Sequence, residues 1–167
     1  MDRPSAEILA DSGRAVQEAL ELIRGQRTMV LATSRDESPW TAPVYYVYHP
    51  PGFYFFSNPE ARHIAQAQSS RPTAVSIFSD SDIWKNIQGL QMTGTIHAIS
   101  KRAEKMQALG RFLMKFPMAR PFLQDGEISQ KGGLSIRDKV RLYVFRPKTI
   151  LYMNNQFGFG WRVPITL

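Results

Sequence analysis

The run Phe55-Phe56-Ser57-Asn58-Pro59-Glu60-Ala61-Arg62-His63 has the residue types and order to hold a phosphate. An apolar strand delivers the chain into a helix start, where backbone N–H groups are unpaired and the dipole is positive. Asn58 suits the N-cap, Pro59 the first helical position and Glu60 the first turn. Ser57 and Asn58 add hydrogen-bonding side chains. Arg62 and His63 follow, and a guanidinium can grip two phosphate oxygens at once. The same pattern also fits an ordinary capped surface helix whose Arg and His face water. A second stretch, Gly89-Leu90-Gln91-Met92-Thr93-Gly94-Thr95-Ile96, sets one Gln among apolar neighbours on a strand. Its amide can meet a planar, hydrogen-bonding heterocycle, or face solvent from an edge.

Other chemistries find less support. The three histidines, His49, His63 and His97, are scattered, with no pair at helical spacing, so no metal site is expected. Asp80 and Asp82 bracket a turn, which explains them without a catalytic carboxylate pair. Ser57 lacks the Gly-x-Ser-x-Gly setting of a hydrolase elbow. Gly158-Phe159-Gly160 lacks the setting of a dinucleotide loop. Cysteine is absent, which removes disulfides, thiolate nucleophiles and cysteine-held metals, and fits a cytoplasmic setting.

The chain has 167 residues, 43% of them apolar and 21% charged, the profile of one globular domain. Its formal net charge of +7 favours an anionic partner. The basic residues are spread out rather than gathered in a run or tail. That weighs against an electrostatic arm for DNA and leaves a local phosphate pocket open. No apolar stretch is long enough for a membrane helix, and no signal peptide is visible.

These residues need elements to position them. Apolar periodicity predicts a helix over about 5–24, with Gly25 just beyond it. Thr28–Thr33, Thr41–Tyr48 and Phe53–Phe56 read as strands, separated by the polar turn Ser34–Pro39 and by His49-Pro50-Pro51-Gly52. The phosphate-type helix is expected from Pro59 to about Gln68. Thr73–Phe78 and about Asn86–Ile99 read as strands, with Gly89 and Gly94 marking a bulge, a bend or a close approach. Lys101–Phe116 reads as a helix, with a shorter helical piece through Leu123. Residues 125–138 read as a loop. Val140–Phe145 and Thr149–Met153 read as two strands separated by Arg146-Pro147-Lys148. The expected fold is mainly β with flanking helices, a small antiparallel barrel in a single domain over 1–167. The N-terminal helix and a helix–strand extension over about 101–167 are appended to it.

The order of these elements, with Phe-Phe-Ser-Asn-Pro-Glu-Ala-Arg-His and Gly-Leu-Gln-Met-Thr-Gly-Thr-Ile in their places, resembles the FMN-binding split-barrel superfamily typified by pyridoxamine 5′-phosphate oxidase. The C-terminal part is similar to the bacterial YhbP-type branch, through Arg111–Arg120 and Phe157-Gly158-Phe159-Gly160. The resemblance implies a six-stranded antiparallel split β-barrel and a homodimer with FMN at the subunit interface. It matches Ser57 and Asn58 to the Thr/Ser-Asn at the family's strand end. Arg62 and His63 match an Arg-Lys pair that binds the FMN phosphate, with His replacing Lys. Gln91 matches a strand Gln near the flavin. The backbone of Thr41, Ala42, Pro43, Val44 and Tyr45 matches the strand beside the isoalloxazine ring. Lys85 is added as a cation that could reach the phosphate from a neighbouring strand.

The segment that holds the oxidase's own substrate has no counterpart beyond a loose echo in Trp161-Arg162-Val163-Pro164, so vitamin B6 oxidation is not expected. The resulting expectation is a cytoplasmic FMN flavoprotein and oxidoreductase of unknown substrate. No catalytic residue is assigned, with Tyr45 and His97 as spare candidates. The alternative is a non-enzymatic flavin- or haem-binding module. A basic nucleic-acid-binding barrel is a third class, which the scattered charge disfavours.

Overall fold

The computed structural model describes residues 6–67, 71–123 and 139–167. Helix α1 spans Ala6–Gly25, and strands β1 (Thr28–Arg35), β2 (Ser38–His49) and β3 (Gly52–Ser57) follow as a meander. Helix α2 is Arg62–Ala67, β4 is Thr73–Phe78 and β5 is Gln88–Ala98. Helix α3 (Arg102–Lys115) and the short α4 (Arg120–Leu123) precede β6 (Arg141–Asn154) and β7 (Arg162–Pro164). The sheet order is β3-β2-β1-β4-β5-β6-β7, and β3 also pairs with β6. That last pairing closes six antiparallel strands into a barrel and leaves β7 outside on β6. The sequence expectation of a six-stranded antiparallel split barrel with flanking helices therefore holds.

Alternation decides what points inward. On β1, Met29, Leu31 and Thr33 are buried while Thr28 and Ser34 are exposed, the period of two of a strand with one wet face. Val75, Ile77, Leu90, Met92, Phe53, Phe55, Phe145, Ile150 and Tyr152 complete the interior. The aromatic strand runs are used here: Phe53 lies 5.7 Å from Tyr46 and 6.2 Å from Phe145, centroid to centroid. Each fully buried Phe stabilises by roughly 2–3 kcal/mol relative to exposure.

Helices stopper the two ends of the barrel and cover one side. The apolar stripe Ala15, Ala19, Leu22 and Ile23 of α1 enters the end near Tyr46 and Tyr152. A polar clasp fixes it: Tyr152 Oη and Asn154 Nδ2 each donate to Glu18 Oε2 at 3.0 Å, and Arg14 Nε donates to Glu18 Oε1 at 2.8 Å. Burial pushes the Glu18 carboxyl up, but the three donors outweigh it and hold it below its ordinary value. At the other end, Ile64 and Ala67 of α2 plug the barrel, and Thr33 Oγ1 donates to the buried Gln66 Oε1 at 2.7 Å. Helix α3 lies outside, burying Phe112 and Phe116 on Val47, Tyr54, Leu142 and Val144. Lys115 reaches back from α3 to donate to Gln26 O at 2.6 Å, over the Tyr46 ring at 4.3 Å. Burial, then nearby Arg27, brings its ammonium down to about 8, while the helix carbonyls and the ring act in the opposite direction.

Three expected boundaries move. The turn expected over Ser34–Pro39 contracts to Asp36 and Glu37, because β1 runs to Arg35 and β2 already begins at Ser38. Val140–Phe145 and Thr149–Met153 are one strand, because β6 carries Arg146-Pro147-Lys148 through in extended form. Pro147 faces Gly94 where the β5–β6 register shifts, and an irregular ladder tolerates a residue without an N–H. Helix α2 starts at Arg62 rather than Pro59. The Asn58 side chain accepts from Glu60 N at 2.9 Å and makes a local turn before the helix begins. The loop expected over 125–138 lies outside the described residues.

The β1–β2 turn is two residues, Asp36 and Glu37, with φ of 50° and 58°. Both sit in the left-handed region that such hairpins require and that glycine adopts without strain. Glu37→Gly is therefore expected to stabilise the protein by about 0.5 kcal/mol, read as a raised urea midpoint with an unchanged slope. A lowered midpoint would remove the strain assigned to this turn.

Candidate functional site

The second barrel strand pairs with β3 only from Tyr46 to His49. From Ser38 to Tyr45 it pairs with β1 on one side, and no strand pairs with its other edge among the described residues. This is the split in the barrel. Alternate residues of this segment turn their backbone groups to that edge, where Pro39 and Pro43 offer no N–H, and Gln66 of α2 donates its Nε2 to Ser38 O at 2.9 Å. Ala42 is buried in the barrel, Val44 packs partly buried against the core, and Thr41, Pro43 and Tyr45 turn outward, exposed.

Helix α2 brings the expected phosphate residues to this gap. Arg62 Nη2 donates to Ser38 Oγ at 2.6 Å, and its guanidinium lies 4.5 Å over the Trp40 ring. It is exposed and meets no carboxylate among the described residues, so oxygens of a ligand remain open to its other N–H groups. His63 Nε2 lies 2.8 Å from the buried Ser57 Oγ at the end of β3. Burial lowers the His63 pKa from its ordinary 6.5, so its ring is mainly neutral at pH 7. Asn58 is exposed and is spent in part on its own turn. Ser38 and Trp40 were not singled out by sequence reading. Their link to Arg62 spans 24 positions, and no local pattern announces it.

Gln91 points out of the barrel, exposed, on β5. It faces Ser76 on β4, which faces Val30 on β1, which faces Pro43 on β2. Gln91 and the β2 segment therefore share one outer face, three strand spacings or about 14 Å apart. That face continues through Thr28, Ala32, Thr41, Tyr45, Ala74, Phe78 and Thr93 to Thr149, Leu151 and Met153 of β6. None of these residues is charged, and Tyr45 and Phe78 are 47% and 54% exposed. Charge resumes at Arg162 on β7 and at Arg146 on β6, which faces Thr95.

Lys85 is not brought to the phosphate end. It lies in the turn after β4, its ammonium 5.9 Å over the Trp84 ring. Asn155, just past the end of β6, donates to Trp84 O at 2.9 Å and fixes that turn at the α1 end of the barrel. Arg62 stands at the opposite end, beside Ser38. The strand direction is the physical reason: β4 leaves the α2 end and delivers its following turn about 20 Å away. His97 is held by Thr95 Oγ1 at 2.8 Å and does not join the site. Among the described residues no group of three His, Cys, Asp or Glu side chains could hold a metal. No helix among them is long and apolar enough to cross a membrane.

A closed six-stranded barrel with an open strand edge and a phosphate-type helix beside it defines the split-barrel class. The sequence model described as pyridoxamine 5′-phosphate oxidase matches residues 15–151, and the chain belongs to that family. A UPF0306 protein of Klebsiella pneumoniae is 25% identical over 143 residues, 82% of this chain and 86% of the relative. The fold is similar to that of a haem-binding protein from Mycobacterium smegmatis, with a TM-score of 0.69 at 16% identity, covering 99% of this chain and 60% of that one. It is also similar to an FAD-binding protein from Mesorhizobium loti, with a TM-score of 0.60 at 15% identity, covering 80% and 90% of the two chains.

Proposed function

We propose that this chain is a cytoplasmic FMN-dependent oxidoreductase that acts as a homodimer, with the flavin at the subunit interface and a substrate still to be identified. The observation that carries the reading is the β2 edge over Trp40–Tyr45, which no strand among the described residues pairs, with the open guanidinium of Arg62 beside it. A flat ring needs a neutral surface and backbone groups to lie against, and its phosphate needs a cation at one end. FMN, when bound, would accept and return electron pairs at its ring. Arg62 would hold the phosphate, with Ser57 and Asn58 as hydrogen-bonding partners and His63 as a neutral neighbour. The Thr41–Tyr45 backbone and the Gln91 amide would orient the ring. The uncharged outer face, with Tyr45 and Phe78 exposed, is the kind of surface that a second copy covers.

A haem reading draws on the Mycobacterium smegmatis neighbour and would call for a histidine ligand. His97 shares the outward side of β5 with Gln91 and Thr93, but its Nε2 is held by Thr95 Oγ1, as the Nε2 of His63 is held by Ser57 Oγ. The flavin reading is favoured for that reason.

The visible spectrum of the purified protein, with the released cofactor weighed by mass spectrometry, tests the cofactor, and light scattering tests the dimer. A flavin spectrum and FMN released on denaturation are expected. A haem spectrum, or no released flavin together with no quenching of added FMN fluorescence, would overturn the reading.

The His63 substitution gives a further expected result. A lysine there adds a permanent charge where the present ring is mainly neutral. His63→Lys is expected to tighten FMN binding about ten-fold at pH 8. The gain is expected to shrink as the pH is lowered to 5.5, toward protonation of the His63 ring, which burial holds to lower pH than usual. Fluorescence titration at the two pH values checks this, and an equal gain at both would mean that the ring's protonation does not matter.

A further inference from the structure

A cleft of about 690 Å³ lies at the end of β2 opposite Arg62, between α1, the end of β2 and the last turns of α3. Leu20, Val47 and Met114 are among its apolar walls, and Arg24, Arg111 and Lys115 among its cations. Among the described residues no Asp or Glu side chain lines it. Lys115 is already held by Gln26 O and, at 3.4 Å, Ile23 O. Arg24 on α1 and Arg111 on α3 are exposed, and neither pairs with a carboxylate among the described residues. Met114 is 78% exposed, an apolar side chain left in water at the wall of the cleft.

Two open guanidinium groups on different helices thus share one apolar cleft of ligand-binding size. Apolar walls lower the local dielectric and strengthen attraction to an anion, and a guanidinium grips a carboxylate with two parallel hydrogen bonds. A purely polar anion would leave the apolar walls wet, and a neutral hydrocarbon would leave the guanidinium groups unused. We propose that this cleft is a second binding site, for a single carboxylate-headed amphiphile, with the head on Arg24 and Arg111 and the apolar body along Leu20, Val47 and Met114.

Dodecanoate below its micelle concentration is the probe, titrated calorimetrically into the full chain with and without added FMN. Dodecanol and dodecyltrimethylammonium are the neutral and cationic controls. Dodecanoate is expected to bind one per chain at micromolar concentration, with or without FMN, and at least ten-fold more tightly than either control. Arg24→Gln and Arg111→Gln are each expected to weaken it by about ten-fold. Met114→Glu, which sets a carboxylate in the cleft, is expected to do the same. All three positions are exposed, and matching urea midpoints establish that the variants fold.

Equal affinity for dodecanoate and dodecanol, unchanged affinity in both arginine variants, or no dodecanoate binding would each overturn the site. So would co-sedimentation with anionic vesicles in the absence of dodecanoate binding, which would assign the cations to a bilayer surface. Binding that FMN competes away would place the amphiphile in the flavin site instead. Because the FMN-free protein is titrated in parallel, failure of the flavin reading leaves this result interpretable.

Discussion

Gly94→Ala is expected to cost about 3 kcal/mol of stability and to lower the melting temperature by roughly 10 °C. A methyl group built at this position would meet the backbone carbonyl oxygen of Arg146, with the Phe145 ring carbon Cε2 at 2.8 Å. The obstruction is backbone, and it sits where the β5–β6 register shifts between Thr93 and Gly94. No rotamer change relieves it, so the strands must part. The loss is a large fraction of the 5–15 kcal/mol that holds an ordinary domain together. Gly89→Ala is the internal control: on the same strand, its nearest neighbours, Ile77 O and Met153 Cε, stand at 3.4 Å. It is expected to change stability by less than about 1 kcal/mol. Urea unfolding of the two variants separates a required close approach from a general dislike of side chains in this strand. Equal small effects would show that the bulge relaxes.

Arg62→Ala is expected to weaken FMN binding ten- to a hundred-fold, because hydrogen bonds to charged groups contribute roughly 1.5–3 kcal/mol. Riboflavin, which lacks the phosphate, is expected to bind both proteins almost equally. The partners of Arg62 sharpen this expectation. Ser38 Oγ and the Trp40 ring hold the guanidinium in place before any ligand arrives, so less side-chain freedom is lost on binding. Arg62→Lys should recover only part of the loss, since an ammonium lacks the planar fork. Removing the exposed contacts should cost the fold itself no more than about 1 kcal/mol. FMN affinity that is the same in wild type and Arg62→Ala would reduce Arg62 to a solvated helix residue.

The strands were legible because β-branched and aromatic runs alternate with turn residues, and the element order carried the barrel. Gly94 showed itself as a glycine inside an apolar strand. The continuity of β6 did not, because Pro147 usually ends a strand, and only its partner at Gly94 permits it to continue. The start of α2 was misplaced because Asn58 can cap a helix or close a local turn, and the choice depends on what the barrel end accepts. The placement of Ser57, Arg62 and His63 together at the end of β3 and the start of α2 follows from their order in the chain. The contacts of Ser38, Trp40 and the Thr33–Gln66 pair do not, since each contact joins positions more than twenty residues apart. Lys85 emerges at the other end of the barrel from Arg62, because a nearby position in sequence says nothing about which end a turn emerges from.

The clasp between Glu18 and the pair Tyr152–Asn154 bears on how the chain is made. Helix α1 leaves the ribosome long before its hydroxyl and amide partners, which lie 134 and 136 positions further on. The strand that carries those partners is also the one that closes the barrel against β3. Until it emerges, Ala15, Ala19, Leu22 and Ile23 have no finished interior to enter. Long-range pairing of this kind slows folding and leaves apolar surface exposed meanwhile. The nascent chain should therefore depend on a chaperone until about residue 154 has cleared the exit tunnel, then snap shut in a single late step.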